Sequence, residues 1–202
     1  PTYGSSTAYG SLAALNVPNT LANPNLTGGM RTELEYGVEM KFMKNRLGLD
    51  FTYFDREDSN LPVSITAAGG TGYTGLSVNS KITSTAGVEA MISGTPILTD
   101  DIRWDVSFNF GRFKKTVDFI YEGIERNILD SWLSWSSMDL QEIVGQEWGM
   151  LYGRKRLKDD AGNWVLFNSG NHRYTNNTLL GNIMPDFTGG ITSTLQYKNW
   201  DF

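Results

Sequence analysis

Between residues 31 and 55 the chain alternates apolar and polar side chains with a period of two. Leu34, Tyr36, Val38, Met40 and Phe42 fall on one parity; Glu33, Glu35, Gly37, Glu39 and Lys41 fall on the other. After Lys44-Asn45 the alternation resumes, with Leu47, Leu49, Phe51 and Tyr53 set against Gly48, Asp50 and Thr52. Successive strand residues point to opposite faces, so each half reads as a strand with one apolar and one polar face. A two-residue turn at Lys44-Asn45 pairs Met43 with Arg46, and therefore Phe42 with Leu47, Met40 with Leu49, Val38 with Phe51 and Tyr36 with Tyr53. All the apolar partners then share a face, so pattern and turn length select the same register.

The same period returns over residues 81–93, where Ile82, Ala86, Val88, Ala90 and Ile92 oppose Thr83, Thr85, Gly87, Glu89 and Met91. Residues 102–110 repeat it more strongly, with Ile102, Trp104, Val106, Phe108 and Phe110 against Arg103, Asp105, Ser107 and Asn109. A further strand is expected over about residues 187–197, with Ile191, Leu195 and Tyr197 on one side, and Lys198-Asn199 then looks like a second tight turn. The connections alternate in length. A long lead-in (1–29) is followed by the Lys44-Asn45 turn, a long loop (about 56–80), a short one (94–101), a very long one (about 115–185) and a short turn at Lys198. Within the longest, residues 137–144 are expected to form a short capped helix, and Asp159-Asp160-Ala161-Gly162-Asn163 is turn chemistry.

Alternation alone fits a soluble β-sandwich as well as a membrane barrel. Three features favour the barrel. The strands run about 10–13 residues, long for a globular sheet and right for a tilted bilayer crossing. Compact soluble domains rarely carry such long loops, whereas outer-membrane barrels have short periplasmic turns and long extracellular loops. Aromatics fall near the strand ends on the apolar face: Phe42, Trp104 and Tyr197 by the short turns, Tyr36 and Tyr53 toward the long loops. The expected fold is thus all-β, an antiparallel transmembrane β-barrel segment of about five strands.

Composition adjusts this picture in few places. The mean hydropathy of −0.31 would ordinarily suggest solubility, but averaging a lipid face with a lumen face and wet loops produces the same value. No run of 18 apolar residues exists, so no transmembrane helix is expected. The 202 residues include 22 acidic and 17 basic side chains, a net charge of −5 that argues against a nucleic-acid partner. The 22 glycines favour strands and turns, and the lack of cysteine removes disulfides and thiol chemistry. The chain begins at Pro1, with no initiator methionine or signal-peptide pattern, and five strands cannot close a barrel; a slice of a larger chain is expected.

Several short segments, taken in order, resemble the barrel of the SusC/RagA-type TonB-linked outer-membrane transporters. They begin with Asn23-Pro24-Asn25-Leu26, Thr32-Glu33-Leu34-Glu35-Tyr36-Gly37-Val38-Glu39 and Asn45-Arg46-Leu47-Gly48-Leu49-Asp50-Phe51. Asn79-Ser80-Lys81-Ile82, Gly87-Val88-Glu89 and Trp104-Asp105-Val106-Ser107-Phe108-Asn109-Phe110 follow. The series ends with Gly145-Gln146-Glu147-Trp148-Gly149, Tyr152-Gly153, Asp160-Ala161-Gly162-Asn163, Leu180-Gly181-Asn182-Ile183-Met184-Pro185-Asp186 and Tyr197-Lys198-Asn199. The resemblance covers about residues 23–202. It implies that the whole segment belongs to one TonB-dependent receptor barrel domain in the outer membrane. The full barrel would have about 22 strands around an N-terminal plug, contact the TonB complex through that missing part, and pair with a SusD-like surface lipoprotein. Its expected role is import of an oligomeric glycan or peptide. A soluble β-rich carbohydrate-binding module, a passive porin and an adhesin are the alternatives.

No catalytic set is visible, so neither enzyme activity nor a cofactor is expected. His172, between Asn171 and Arg173, is the sole histidine and reads as solvated. Asp159, Asp160 and Asn163 lack the twelve-residue calcium-loop pattern. The polar face carries more information. Glu39 sits opposite Asp50 in the turn-defined register, and facing like charges are destabilising. With Glu89 and Asp105 at similar depth, the lumen wall would be acidic, open either to basic side chains of the plug or to water with Lys41, Arg46 and Arg103. In the longest loop Trp132, Trp135, Trp148, Tyr152 and Trp164, with Tyr121 and Tyr174, either contact substrate or partner or pack the loop on itself.

Overall fold

The computed structural model describes residues 4–9, 12–16, 18–132 and 138–202. Its strands, in chain order, are β1 (Gly4–Tyr9), β2 (Leu12–Asn16), β3 (Thr20–Leu21), β4 (Met30–Phe42), β5 (Leu47–Thr66), β6 (Gly75–Leu98), β7 (Ile102–Phe119), β8 (Arg126–Trp132), β9 (Met138–Ile143), β10 (Met150–Arg156), β11 (Tyr174–Asn182), β12 (Thr188–Tyr197) and β13 (Trp200–Asp201). A 3-10 turn occupies Gly69–Thr71. Among the described residues there is no α-helix, and the fold is all-β as expected. The main sheet is an antiparallel wall in the order β4-β5-β6-β7-β12-β13, with β3 running parallel to the start of β6. A second sheet has the order β11-β10-β9-β8, and β1 pairs with β2.

The turn-defined register holds from the Phe42–Leu47 pair onward, with residues 43–46 forming the turn. Tyr36 faces Tyr53, Val38 faces Phe51, Glu39 faces Asp50 and Phe42 faces Leu47. The turn is closed by Arg46 N–H donating to Met43 O at 3.3 Å. Lys44 and Asn45 both have positive φ, 55° and 68°, the backbone that matches the twist of the flanking strands in a two-residue hairpin. Lys198, with φ 52°, makes the second turn, and Tyr197 pairs with Trp200 across it.

Carried across the sheet, these registers define an outer face. One row reads Met40, Leu49, Ile92, Phe108, Ile191; the next toward the short turns reads Phe42, Leu47, Gly94, Val106, Ser193. Phe42, Ile92, Phe108 and Ile191 are all exposed, as lipid-facing side chains are in an isolated wall. Toward the long loops the band ends at the row Tyr36, Tyr53, Val88, Arg112, and the following row already holds Asp55 and Lys114. From Ile102 to Phe110 the band covers about 27 Å of strand, or about 20 Å of depth at the usual barrel tilt.

The strands do not stop where the lipid pattern stops. The expected loop at 56–80 is mostly strand: β5 continues to Thr66 and β6 starts at Gly75, leaving 67–74 as the connection. The expected connection at 94–101 likewise shrinks to 99–101, with β6 running on to Leu98 past an irregularity between Gly94 and Ile97. Outside the bilayer both faces meet water, so backbone pairing persists with no apolar side to advertise it. The expected loop at 115–185 contains the end of β7 and all of β8 to β11. The helix expected over 137–144 is instead β9, hydrogen-bonded between β8 and β10; Ser137 lies outside the described residues. Leu140, Ile143 and Val144 have helical spacing, but two neighbouring strands satisfy the backbone of this segment more completely than an isolated turn of helix would.

Candidate functional site at the lumen wall and the inward-folded loop sheet

The opposite parity builds the lumen face. From the short turns upward its rows are Glu39-Asp50-Met91-Asn109-Gly190, then Gly37-Thr52-Glu89-Gly111-Thr188, then Glu35-Phe54-Gly87-Phe113, then Glu33-Arg56-Thr85-Lys115. Glu39, Asp50 and Glu89 therefore fall on adjacent rows. Asp50, Thr52, Glu89, Asn109, Gly111 and Thr188 line a hollow of about 600 Å³ in the wall. Lys41 Nζ lies 2.7 Å from Glu39 Oε1, the one ion pair at this level among the described residues. Asp105 is not part of the group. It lies four residues below Asn109 on β7, about 13 Å along the strand, accepting from Arg103 Nε and Thr95 Oγ1, both at 2.6 Å. The shared depth expected for Glu89 and Asp105 is thus not observed, because the sheet is staggered and Glu89 pairs with Gly111.

Gly87 shows why one row needs a glycine. A Cβ there would lie 2.5 Å from Phe54 Cζ and 2.7 Å from Phe113 Cβ, so the flanking strands carry rings across space that only a missing side chain provides.

Above this acidic level the wall carries charges of both signs, and the loop sheet folds onto it. Val117, which shares the lumen parity, is fully buried with Ile120 and Val63, and Ile65, Val78, Ile124, Val144 and Trp148 pack around them. Glu142 of β9 is 0% exposed; its Oε1 accepts from Lys81 Nζ and from Trp148 Nε1, each at 2.9 Å. Arg31 Nε donates to Asp58 Oδ1 at 2.6 Å in the row above Arg56. These rows lie beyond the outer apolar band. There the Arg31 hydrogen bond holds the Asp58 carboxyl below its ordinary pKa. Burial is the main influence on the Lys115 ammonium and pushes its pKa down, with the positive charges of Lys81 and Arg56 adding to the shift and Asp58 and Glu142 opposing it. A buried ion pair held by an indole donor fixes the loop sheet against the mouth of the wall. Glu142 and Lys115 carry no motif, and Lys81 stood out only within Asn79-Ser80-Lys81-Ile82; the other sign in the sequence is a charged residue inside the ambiguous 137–144 segment.

The loop aromatics divide. Trp148 is held by Glu142, and Tyr152 is 9% exposed, its hydroxyl donating to Gln146 Oε1 at 3.0 Å with the Arg126 guanidinium 5.5 Å over its ring. Tyr152 packs the loop on itself, and Trp148 packs it on the wall. Trp164, 48% exposed, and Tyr174, 49% exposed, reach the surface. Trp132 lies in β8, and Trp135 falls outside the described residues. His172, expected to be solvated, is partly buried edge-to-face against Trp164 at 5.7 Å.

No family model matches the chain. It is 26% identical over 202 residues to the TonB-dependent receptor P3 of Formosa agariphila, a match covering 89% of this chain and 20% of that protein. The structure of the RagAB peptide transporter superposes with a TM-score of 0.74 at 16% identity, over 99% of this chain and 23% of its own. The RagAB peptide importer in its "closed-closed" state gives 0.69 at 17% identity, over 97% of this chain and 22% of its own. The chain has the fold of a segment of the RagAB transporter. It spans about a fifth of the curated relative.

Within this wall, the residues that carried the resemblance have structural work. Asn79 Oδ1 accepts from Thr27 N–H at 2.8 Å while its Nδ2 donates to Thr27 O and Asn60 O, and Asn23 Nδ2 donates to Ser77 O at 3.0 Å. Together they tie the lead-in to β6. The Gly145-Trp148 segment runs along β7 above the end of β12: Gly145 N–H donates to Val117 O, Val117 N–H to Gln146 O and Trp148 N–H to Lys115 O. It occupies an edge that would otherwise be unpaired.

Proposed function

We propose that the chain forms part of the wall of a TonB-energised outer-membrane importer of an oligomeric nutrient, glycan or peptide. The importer works with a SusD-like surface lipoprotein and performs no covalent chemistry. The observation that carries this reading is a sheet with an apolar outer band and a charged inner face, in a fold shared over 99% of its length with the RagAB transporter. In this reading the TonB complex acts through a plug that lies outside the segment, and lipid covers the outer band.

The wall's acidic rows support a second element of the proposal: Glu39, Asp50 and Glu89 face basic side chains of the plug, while Asp105 serves the rim near the short turns. Facing carboxylates with a single lysine partner favour a cationic neighbour over an empty aqueous lumen. Paired Glu39→Gln and Asp50→Asn replacements in the full-length protein are expected to weaken plug retention and transport; unchanged transport and barrel stability would reject the contact.

The importer reading is tested in the native bacterium. The full-length protein is expected to remain in the outer-membrane fraction after a carbonate wash, and its uptake of the cognate oligomer to cease when TonB is deleted. Release by carbonate would favour a soluble carbohydrate-binding module, and uptake independent of TonB would favour a porin.

A further inference from the structure

The charge of the chain is unevenly distributed. Residues 150–178 contain Arg154, Lys155, Arg156, Lys158 and Arg173 against Asp159 and Asp160, a net +3 in a chain whose total is −5. None of these basic side chains takes part in an ion pair among the described residues. Asp159 is engaged elsewhere: its carboxylate accepts from Asn163 N–H at 2.8 Å and Asn163 Nδ2 at 3.2 Å, closing the turn. The cations gather about aromatic rings instead. Lys158 Nζ is 4.3 Å and Arg156 Cζ 5.9 Å from the Trp164 ring centroid, and Arg173 Cζ is 5.5 Å from that of Phe167.

This arrangement is held by backbone rather than by the charges. Leu157 N–H donates to Arg173 O, Arg173 N–H to Val165 O and Val165 N–H to Leu157 O, so three chain segments are laced together beyond β10 and β11. A groove of about 640 Å³ lies there, lined by the four basic residues between 154 and 158, Leu157, Trp164, Thr175 and Thr178. It opens on a sheet face: Lys155 pairs directly with Thr175, and the Thr175 and Thr178 hydroxyls lie 2.8 Å apart. The backbone amides of β10 and β11 beneath it are engaged with each other. A ligand in the groove therefore meets side chains only: an exposed indole, two hydroxyls and four cations. An extended peptide would recognise an open strand edge through its backbone; the outer edge of β11 borders this face, but the face itself presents side chains. A sugar presents ring C–H surface to an indole, hydroxyls to threonines, and any acidic substituents to lysine and arginine.

We propose that this groove binds an oligosaccharide bearing carboxylate or sulfate groups, with Lys155 and Lys158 as its principal charge contacts and Trp164 as its apolar wall. The proposal rests on the importer reading and narrows its substrate class to acidic glycans.

The test uses the full-length protein in detergent and calorimetry at low ionic strength. The probes are hexagalacturonate, a hexameric alginate fragment, a heparin-derived sulfated hexasaccharide, neutral maltohexaose and hexaglutamate. At least one acidic saccharide is expected to bind, more tightly than either maltohexaose or hexaglutamate and more weakly as salt is raised. The double variant Lys155→Ala, Lys158→Ala is expected to weaken that binding about tenfold or more, Trp164→Ala about threefold to tenfold, and Lys155→Arg, Lys158→Arg to retain it. Unchanged heat-modifiable migration of each variant separates lost contacts from lost fold. The groove proposal is overturned when no acidic saccharide binds, when the neutral glycan or the acidic peptide binds as tightly, or when the alanine variants bind like the parent. Failure of the groove and failure of the importer reading are distinguishable: TonB-dependent uptake of a neutral glycan or a peptide leaves the importer in place, whereas absence from the outer membrane removes it.

Discussion

The wall and the loop sheet are both antiparallel β-structure, yet they bury opposite things. In the wall the large apolar side chains point outward and stay exposed, as at Phe42, Phe108 and Ile191. Where the loop sheet meets the upper ends of β5, β6 and β7, the buried set includes Val117 and Ile120 together with Asp58, Thr83, Thr85 and Glu142. One region is organised by the solvent on its two sides and the other by the neighbour it leans on. A lipid-facing strand advertises itself through strict alternation, since every second residue meets hydrocarbon. A strand packed on charged and apolar groups alike has no such rule to obey.

The largest effect is expected at the junction of the two regions. Glu142→Ala leaves Lys81 buried beside a lost partner and removes the acceptor of the Trp148 indole, at a cost of about 3–5 kcal/mol. Chemical unfolding of the full-length protein should show the loss, with protease cutting appearing first between residues 120 and 150. Resistance equal to the parent would mean that the loop sheet is held by something else.

A step smaller is the sidedness of the wall. Phe108→Arg places a charge in the central lipid row and is expected to destabilise the barrel by about 2–4 kcal/mol, whereas Asn109→Arg, one residue along and facing the lumen, should cost far less. Equal penalties in a lipid-refolding titration would contradict the assignment of faces. At the hairpin turn, Asn45→Ala asks alanine to hold a φ of 68° and is expected to cost about 1 kcal/mol, read by the same titration.

The smallest effect is a pH dependence confined to the loop. Hydrogen bonds from Asn163, backbone first and side chain second, lower the Asp159 pKa. A lowered folded-state pKa stabilises the turn above the ordinary carboxylate range, and the stabilisation is lost as pH falls through the depressed value. Amide exchange at Asn163, corrected for intrinsic rates, should accelerate only in acid, and Asp159→Asn should flatten the profile.

The contrast also explains what could be read in advance. The pairing of β4 with β5, the two tight turns and the places of Trp104 and Tyr197 near strand ends follow from local alternation, and the structure agrees with each; Tyr36 and Tyr53 lie instead within β4 and β5, at the edge of the apolar band. The extensions of β5 and β6 past the bilayer, the strand character of β9 and the separation of Asp105 from Glu89 did not follow. The first two lack an apolar face, and the last depends on inter-strand stagger, which no single strand contains.

Residue order by itself determined the all-β class, which side of each wall strand is apolar and the hairpin register, because a period of two and a two-residue turn are local properties of the chain. Only the tertiary structure decided that the longest connection is a sheet turned inward, that Glu142 meets Lys81 across 61 positions, and that basic residues cluster around Trp164. Those outcomes depend on which distant surfaces come into contact, and the energy of such contacts is not written into the periodicity of either partner.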